Sequence, residues 1–305
     1  MTTPVLFLIF NRHELAARVF EQIREAKPSR LFIAADGPRK SVAGEDQLCR
    51  ETRACVESMI DWPCEVNRLY REENMGCQKA PSLAIDWFFS HVTEGIILED
   101  DTVPHPSFFR FSATLLQRYR DYPDVMHISG NNFQFGRIRG DGAYYASRFA
   151  HSWGWASWRR AWMLYDISMP GFPEDWDFIA SCCGFSSPIK EWWREALDNA
   201  RSGFLSAWDL QWHFTLMKNL GISLIPNQNL VVNIGVGDMA THTKKKSIAS
   251  SIRMSSLNRF DPPSHLFIDN SVDQFDFNYA VTNNPLPWRN LNEVSKEILF
   301  KLKYK

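Results

Sequence analysis

The sequence predicts an α/β fold: a central, mostly parallel sheet flanked by helices. Two observations carry this expectation. Short, uniformly apolar runs alternate with segments whose apolar residues recur at helical spacing. Each of the first four runs also ends in polar or charged residues. Strands that are apolar on both faces must be covered on both faces, and crossover helices between parallel strands provide that cover.

The elements follow in order. Val5–Phe10 reads as a buried first strand. Glu14–Ala26 reads as a helix with Leu15, Val19, Ile23 and Ala26 on one face, stopped at Pro28. Leu31–Ala35 is the second strand and enters the turn Asp36-Gly37-Pro38. Residues 45–60 read as helix and CEVNRLYR as a third, shorter strand. ENMGCQKAPSLAIDWFF is a glycine-containing loop leading into a helix, with Pro81 in the first turn, where a missing N–H costs little. Ile96–Leu98 is the fourth strand, and the helix Pro106–Arg120 turns Phe108, Phe111, Leu115 and Tyr119 inward. The second half is less regular. VMHISGNN, ISLIP and LVVNIG read as strands, and residues 189–201 and 210–220 as helices closed by Gly203 and Gly221. Thr241–Phe260 holds Lys244, Lys245, Lys246, Arg253 and Arg259 without an acid, and reads as a loop or extension. The final LNEVSKEILFKLKYK sets Leu291, Val294, Ile298 and Leu302 on one lysine-rich helix.

In parallel sheets, ligands bind beyond the carboxyl ends of the strands. The first four strands end in Asn11-Arg12, Asp36-Gly37, Arg71 to Asn74, and Glu99-Asp100-Asp101, which predicts a polar rim.

Composition narrows the function. The 305 residues are 45% hydrophobic and 23% charged, ordinary for a folded chain, with a formal net charge of −1 that gives no nucleic-acid footprint. The 12 tryptophans could stack on sugars, but most are expected in the core. Cys49, Cys55, Cys64, Cys77, Cys182 and Cys183 show no zinc spacing and are expected as reduced thiols, which points to a cytoplasmic protein. The opening MTTPVLFLIFNRHE lacks a basic start and a small-residue cleavage site, so it is not read as a signal peptide.

Carboxylates cluster where something positive offsets their repulsion. Mg²⁺ and Mn²⁺ are commonly shared between one or two carboxylates and substrate phosphates. Glu99-Asp100-Asp101 directly follows the apolar GIIL, which favours a metal site over a solvated acidic turn. Strand alternation would send Glu99 and Asp101 to one face and Asp100 to the other.

The apolar strand ending in an acidic triplet resembles the DXD metal motif of GT-A fold nucleotide-sugar glycosyltransferases. EDD followed by Pro and a Ser-Phe-Phe helix start is similar to the N-acetylglucosaminyltransferase I family and its bacterial relatives. FNR, ADG, ENMGCQKA, SWGWASWRRAW and AWDLQW match in order, covering roughly Pro4 to Thr243. The resemblance implies a nucleotide-sugar half over residues 1–125, an acceptor half over 126–243 and a basic C-terminal extension over 244–305.

Carried over, the resemblance implies that Asp101 ligates Mn²⁺ or Mg²⁺. Glu99 and Asp100 would contact the donor's sugar and ribose, Arg12 its diphosphate or ribose, and Asp36 its base. Asn74, Gly76, Gln78 and Lys79 would line the donor pocket, with Gly76 letting backbone approach the ligand. Trp153, Gly154, Trp155 and Trp208 would form the sugar and acceptor wall, with Trp153 and Trp155 as stacking rings and Trp158 and Trp162 in the core. His242 is a further candidate for the diphosphate or metal. Asp209 aligns with the family's Trp-Asp base, though an Asp at a helix start also serves as a cap. The family's second acid is Leu210 here. Asp166, Asp175 and Asp177 are the other candidate bases.

These readings imply a metal-dependent, inverting transferase using a nucleotide-diphosphosugar, UDP-linked by the resemblance. Its acceptor would be a glycan of bacterial surface polysaccharide or lipopolysaccharide. The basic C-terminal region would allow peripheral contact with the inner face of the membrane, or serve only as a solvated loop and packed helix. Two alternatives stand beside it. A sugar nucleotidyltransferase should carry a Gly-rich loop after the first strand, and FNRHELAAR has no Gly. A degenerate carbohydrate-binding protein would fit the tryptophan content and Leu210.

Overall fold

The computed structural model describes residues 1–235 and 252–283. In chain order the elements are β1 (Val5–Ile9), α1 (His13–Ala26), β2 (Arg30–Ala35), α2 (Glu45–Ser58), β3 (Glu65–Tyr70), α3 (Gly76–His91), β4 (Glu94–Glu99), β5 (Thr102–Pro104) and α4 (Pro106–Arg118). There follow β6 (Val125–Ser129), β7 (Tyr144–Ser147), β8 (Trp155–Trp158), α5 (Arg159–Trp162), α6 (Trp176–Cys182), α7 (Ser187–Arg201), α8 (Asp209–Lys218), β9 (Ile222–Pro226), β10 (Val231–Asn233) and α9 (Asn270–Asn283).

Eight strands form one sheet in the order β3-β2-β1-β4-β8-β6-β9-β7. β3, β2, β1, β4, β6 and β9 run one way, while β8 and β7 run against them. The sheet is therefore mostly parallel and flanked by helices, as the alternation of runs predicts. Strands from both sides of residue 125 share it.

The apolar strands are buried on both faces because side chains alternate. Val5, Phe7, Ile9, Leu31, Ile33, Ile96 and Leu98 meet α1 and α4. Leu6, Leu8, Phe32, Ala34 and Ile97 meet α3, α5 and α8. A third apolar cluster gathers α6, α7, α8 and Phe277 of α9.

Residues 252–269 carry no helix or strand and lie along the domain. Leu257 N–H donates to Ser107 Oγ, Arg118 donates to the Phe260 carbonyl, and Ile268 bridges to Ala146 of edge strand β7. His242, Lys244–Lys246 and the expected terminal helix lie outside the described residues. No helix among the described residues is long and apolar enough to cross a membrane. None of the six cysteines is in a disulfide.

α3 begins earlier than its sequence pattern indicates. It starts at Gly76, so Pro81 sits inside the helix rather than in its first turn. The missing N–H there costs the Cys77 carbonyl its helical partner. The early start has a tertiary cause, described next.

Candidate functional site

Parallel pairing of β1 with β2 and β4, and of β2 with β3, brings the predicted polar ends to one rim. At its centre β4 ends at Glu99, and Asp100 and Asp101 form a turn. Thr102 Oγ1 closes it, accepting from Glu99 N–H and donating to the Glu99 carbonyl, both at 3.0 Å.

Strand alternation therefore stops at Glu99. Asp100 and Asp101 do not diverge, contrary to the expectation from strand alternation; both face Arg12. Arg12 donates to both oxygens of Asp100, through Nε to Oδ2 at 3.3 Å and through Nη2 to Oδ1. Its Nη2 lies 3.0 Å from Asp101 Oδ2. Burial alone would lower the Arg12 pKa, but the charges of Asp100 and Asp101 hold it above the usual arginine value. β10 pairs with β5, setting Asn233 opposite Thr102, and Asn233 Nδ2 donates to Asp101 Oδ1 at 3.2 Å.

Glu99 accepts from Trp208 Nε1 at 3.1 Å. Burial, then the charges of Asp101, Asp209 and Asp100, push its pKa above the ordinary glutamate range. Asp100 is likewise raised, chiefly by burial and against the pull of Arg12. Four carboxylates thus share one region, and the Arg12 guanidinium pairs with two of them, Asp100 and Asp101.

The donor set suits a hard divalent ion, being carboxylate oxygen with excess negative charge. No three His, Cys, Asp or Glu side chains among the described residues converge as a ready cage. An ion held at Asp101 would thus need further ligands from a substrate, as is usual where phosphates bind.

Asp36 stitches the rim to α3. Its carboxylate accepts from Gly37 N–H, Asn74 Nδ2, Met75 N–H and Gly76 N–H, at 2.9 to 3.2 Å. A carboxylate from β2 thereby satisfies the first N–H groups of α3, which explains the early helix start. Asn74 Nδ2 also donates to the Gly37 carbonyl, so Asp36 and Asn74 are bonded to each other. Gly76 sits at φ +80°, a conformation that favours glycine, with open space where a side chain would be. Lys79 is exposed one turn on. With the Gln211 amide oriented to satisfy both ends, it accepts from Gln78 Nε2 and donates to the Ala207 carbonyl, each at 2.6 Å. Gln78 thus faces α8.

The aromatic block divides by burial. Trp155 is 0% exposed on β8. Its ring lies between His127, 5.1 Å away at 17°, and Trp208, 5.5 Å away at 22°. Both faces are covered, so Trp155 is a core residue and not the stacking ring expected from the sequence. Its role is to seat Trp208, whose indole N–H holds Glu99. Trp153 is half-buried, with Phe133 edge-on at 5.2 Å. Gly154 takes φ +60°, and its carbonyl accepts from Gly130 N–H at 2.7 Å. A Cβ there would approach Val231 Cγ2 to 2.9 Å. Trp158 and Trp162 are in the core, as expected. Arg159 and Arg160 turn away from the rim. They satisfy carbonyls at the end of α3 (Phe89, Val92) and after α4 (Tyr119, Pro123, Val125).

Asp209 is the first residue of α8, not the residue before it. Trp208 is the N-cap and makes no side-chain cap. Asp209 is half-buried, and its charge reaches both Glu99 and Tyr165. The other candidate bases are committed elsewhere: Asp166 accepts from Ser168, and Asp177 pairs with Lys190 and Arg194. Asp175 precedes α6, where it contacts Gly171.

The sequence reading missed Glu45, which is buried and binds Asn11 and Arg39 beside β1. It also missed His151 and Asp276, which meet behind the aromatic block. An acid among apolar residues was the signal in SVDQFDFNYAV.

No protein-family description matches the chain, and no curated protein matches it. Among solved structures, apo UDP-glucose pyrophosphorylase is 11% identical with TM-score 0.40, covering 74% of this chain and 90% of its own. Apo mouse xyloside xylosyltransferase 1 is 10% identical with TM-score 0.36, covering 71% and 81%. HddC from Yersinia pseudotuberculosis with GMP-PN is 10% identical with TM-score 0.33, covering 52% and 78%.

Proposed function

We propose that this protein is a metal-dependent glycosyltransferase. It would move a sugar from a nucleotide-diphosphosugar, UDP-linked in the first instance, to a glycan acceptor of the bacterial cell surface. One observation carries the reading. The acidic turn Glu99–Asp101 closes β4 at the centre of the parallel rim, and Asp209 lies within electrostatic reach of it.

The chemistry follows from those positions. Arg12, Asp36 and the start of α3 border the donor side, with Lys79 exposed there. Asp209 takes the proton of the acceptor hydroxyl, and the freed oxygen attacks the anomeric carbon. The bond to the diphosphate breaks, and its electron pair leaves on the diphosphate oxygen. One such displacement inverts the anomeric centre. Asp101 would hold the divalent ion, which would supply neutralisation of the charge developing on the leaving diphosphate.

The test is nucleotide release from a panel of nucleotide-diphosphosugars with Mn²⁺, with and without glycan acceptors. At least one donor should be cleaved, and Asp101→Ala should abolish both cleavage and Mn²⁺-dependent nucleotide binding. If no donor is cleaved and Asp101→Ala binds nucleotide like wild type, the reading fails. Pyrophosphate release from a nucleoside triphosphate and a sugar 1-phosphate would instead identify a nucleotidyltransferase.

A further inference from the structure

Helix α9 arrives from the far end of the chain, yet its buried face is not simply apolar. Val272, Asp273, Asp276 and Phe277 are all buried on it. Burying a carboxylate is costly unless its hydrogen bonds are met, so the partners of each Asp show what the helix holds in place.

The two acids hold different things. Asp273 accepts from Ser147 Oγ and from Arg148 N–H at 2.9 Å, which fixes the end of edge strand β7. Asp276 is 2% exposed, and its Oδ2 lies 3.3 Å from His151 Nε2. Gln134 Nε2 donates to its Oδ1. His151 and Gln134 belong to the loops after β7 and β6; the first returns to the rim at Trp153 and Gly154, where the Gly154 carbonyl accepts from Gly130 N–H of the second. Between them lies Phe133, edge-on to His151 at 4.7 Å and to Trp153 at 5.2 Å. Arg139 extends the cluster by donating to Gln134 Oε1 at 2.6 Å.

We propose that α9 is a positioning element of the acceptor wall: Asp276, through His151 and Phe133, sets the ring of Trp153 at the rim. The kinetic consequence rests on the transferase reading above; the positioning itself does not. Asp276 touches no reacting atom and acts only through its neighbours.

The test compares the two acids of one helix in the full chain. By hydrogen exchange, Asp276→Ala should deprotect residues 130–134 and 149–154, whereas Asp273→Ala should deprotect β7. With an active donor and acceptor pair, Asp276→Ala should raise the acceptor KM about tenfold while kcat stays near wild type, the sign of lost uniform binding. Donor cleavage without acceptor should be unchanged, and Asp273→Ala should lower only the thermal midpoint. If Asp276→Ala does not fold, Phe133→Leu keeps the Asp276 contacts to His151 and Gln134 and should raise the same KM. Equal effects of the two acid variants on exchange and on KM, or none from Asp276→Ala or Phe133→Leu, would overturn the proposal. A wild-type chain that cleaves no donor sinks the transferase reading alone, and the exchange pattern still decides the positioning.

Discussion

Arg12 and Asp209 mark two sides of the same acidic turn, and each has a bland alternative. For Arg12 it is a helix-start residue on the surface, but its guanidinium is committed to Asp100 and Asp101. For Asp209 it is a cap, yet it stands inside α8 with Trp208 as N-cap. If Asp209 is the base, Asp209→Asn should lower kcat by about 10²–10⁴-fold and leave the donor KM nearly unchanged. Steady-state kinetics within a few-fold of wild type would reduce it to a structural residue. The carboxylates themselves were legible in the sequence, because EDD after GIIL is hard to place otherwise. Their directions were not: alternation holds only within a strand, and hydrogen bonding to Thr102 ends β4 one residue into the triplet. Trp155 was misread for a related reason, since nothing in WGWASW reveals a strand between β4 and β6.

At the scale of elements, long periodic segments were readable and short or mixed ones were not. β1 to β4 and α1 to α4 announce themselves by uniform or periodic apolar residues. β5, β7 and β8 are three or four residues long and form only because neighbouring strands accept them. α9 hides because carboxylates replace apolar residues on its inner face. One of them, Asp273, makes its docking sensitive to pH. Burial pushes Asp273 up to about 6, against the hydrogen bonds from Ser147 and Arg148. A raised carboxylate contributes stability that is fully present below its unfolded pKa and is lost as pH rises through the raised value. Wild type should therefore lose stability relative to Asp273→Asn as pH climbs from about 4 to about 6, with a constant difference above. Thermal midpoints across that range read it directly, and parallel curves would show that Asp273 titrates normally.

Across the whole molecule, the opposite sign comes from histidine. Trp212 Nε1 donates to His127 Nδ1, so the ring proton sits on Nε2 and donates to the His151 carbonyl. Burial pushes both His127 and His213 down to about 3. Their stability is present above the ordinary histidine pKa and drains as pH falls below it, by up to about 1.4 kcal/mol per pH unit for each. Urea unfolding of wild type against His127→Gln should show the variant with the shallower acid slope. Equal slopes would mean the ring ionises without unfolding the chain.

His151 and Asp276 stand 125 residues apart in sequence, whereas Arg12 and Asp100 are separated by 88. Chains emerge from the ribosome N-terminus first, but a domain folds as a unit, and here β8 and β6 complete the sheet beside β4. The acidic turn and its guanidinium emerge early, yet Trp208 and Asn233, which hold Glu99 and Asp101, emerge only shortly before α9. On the proposed reading, the pocket for the donor and the surface meant for the acceptor are therefore completed by the same late part of the chain. A chain on the ribosome would then gain the means to hold a sugar nucleotide and the means to receive a glycan in one step, and a truncation before β10 would lose both.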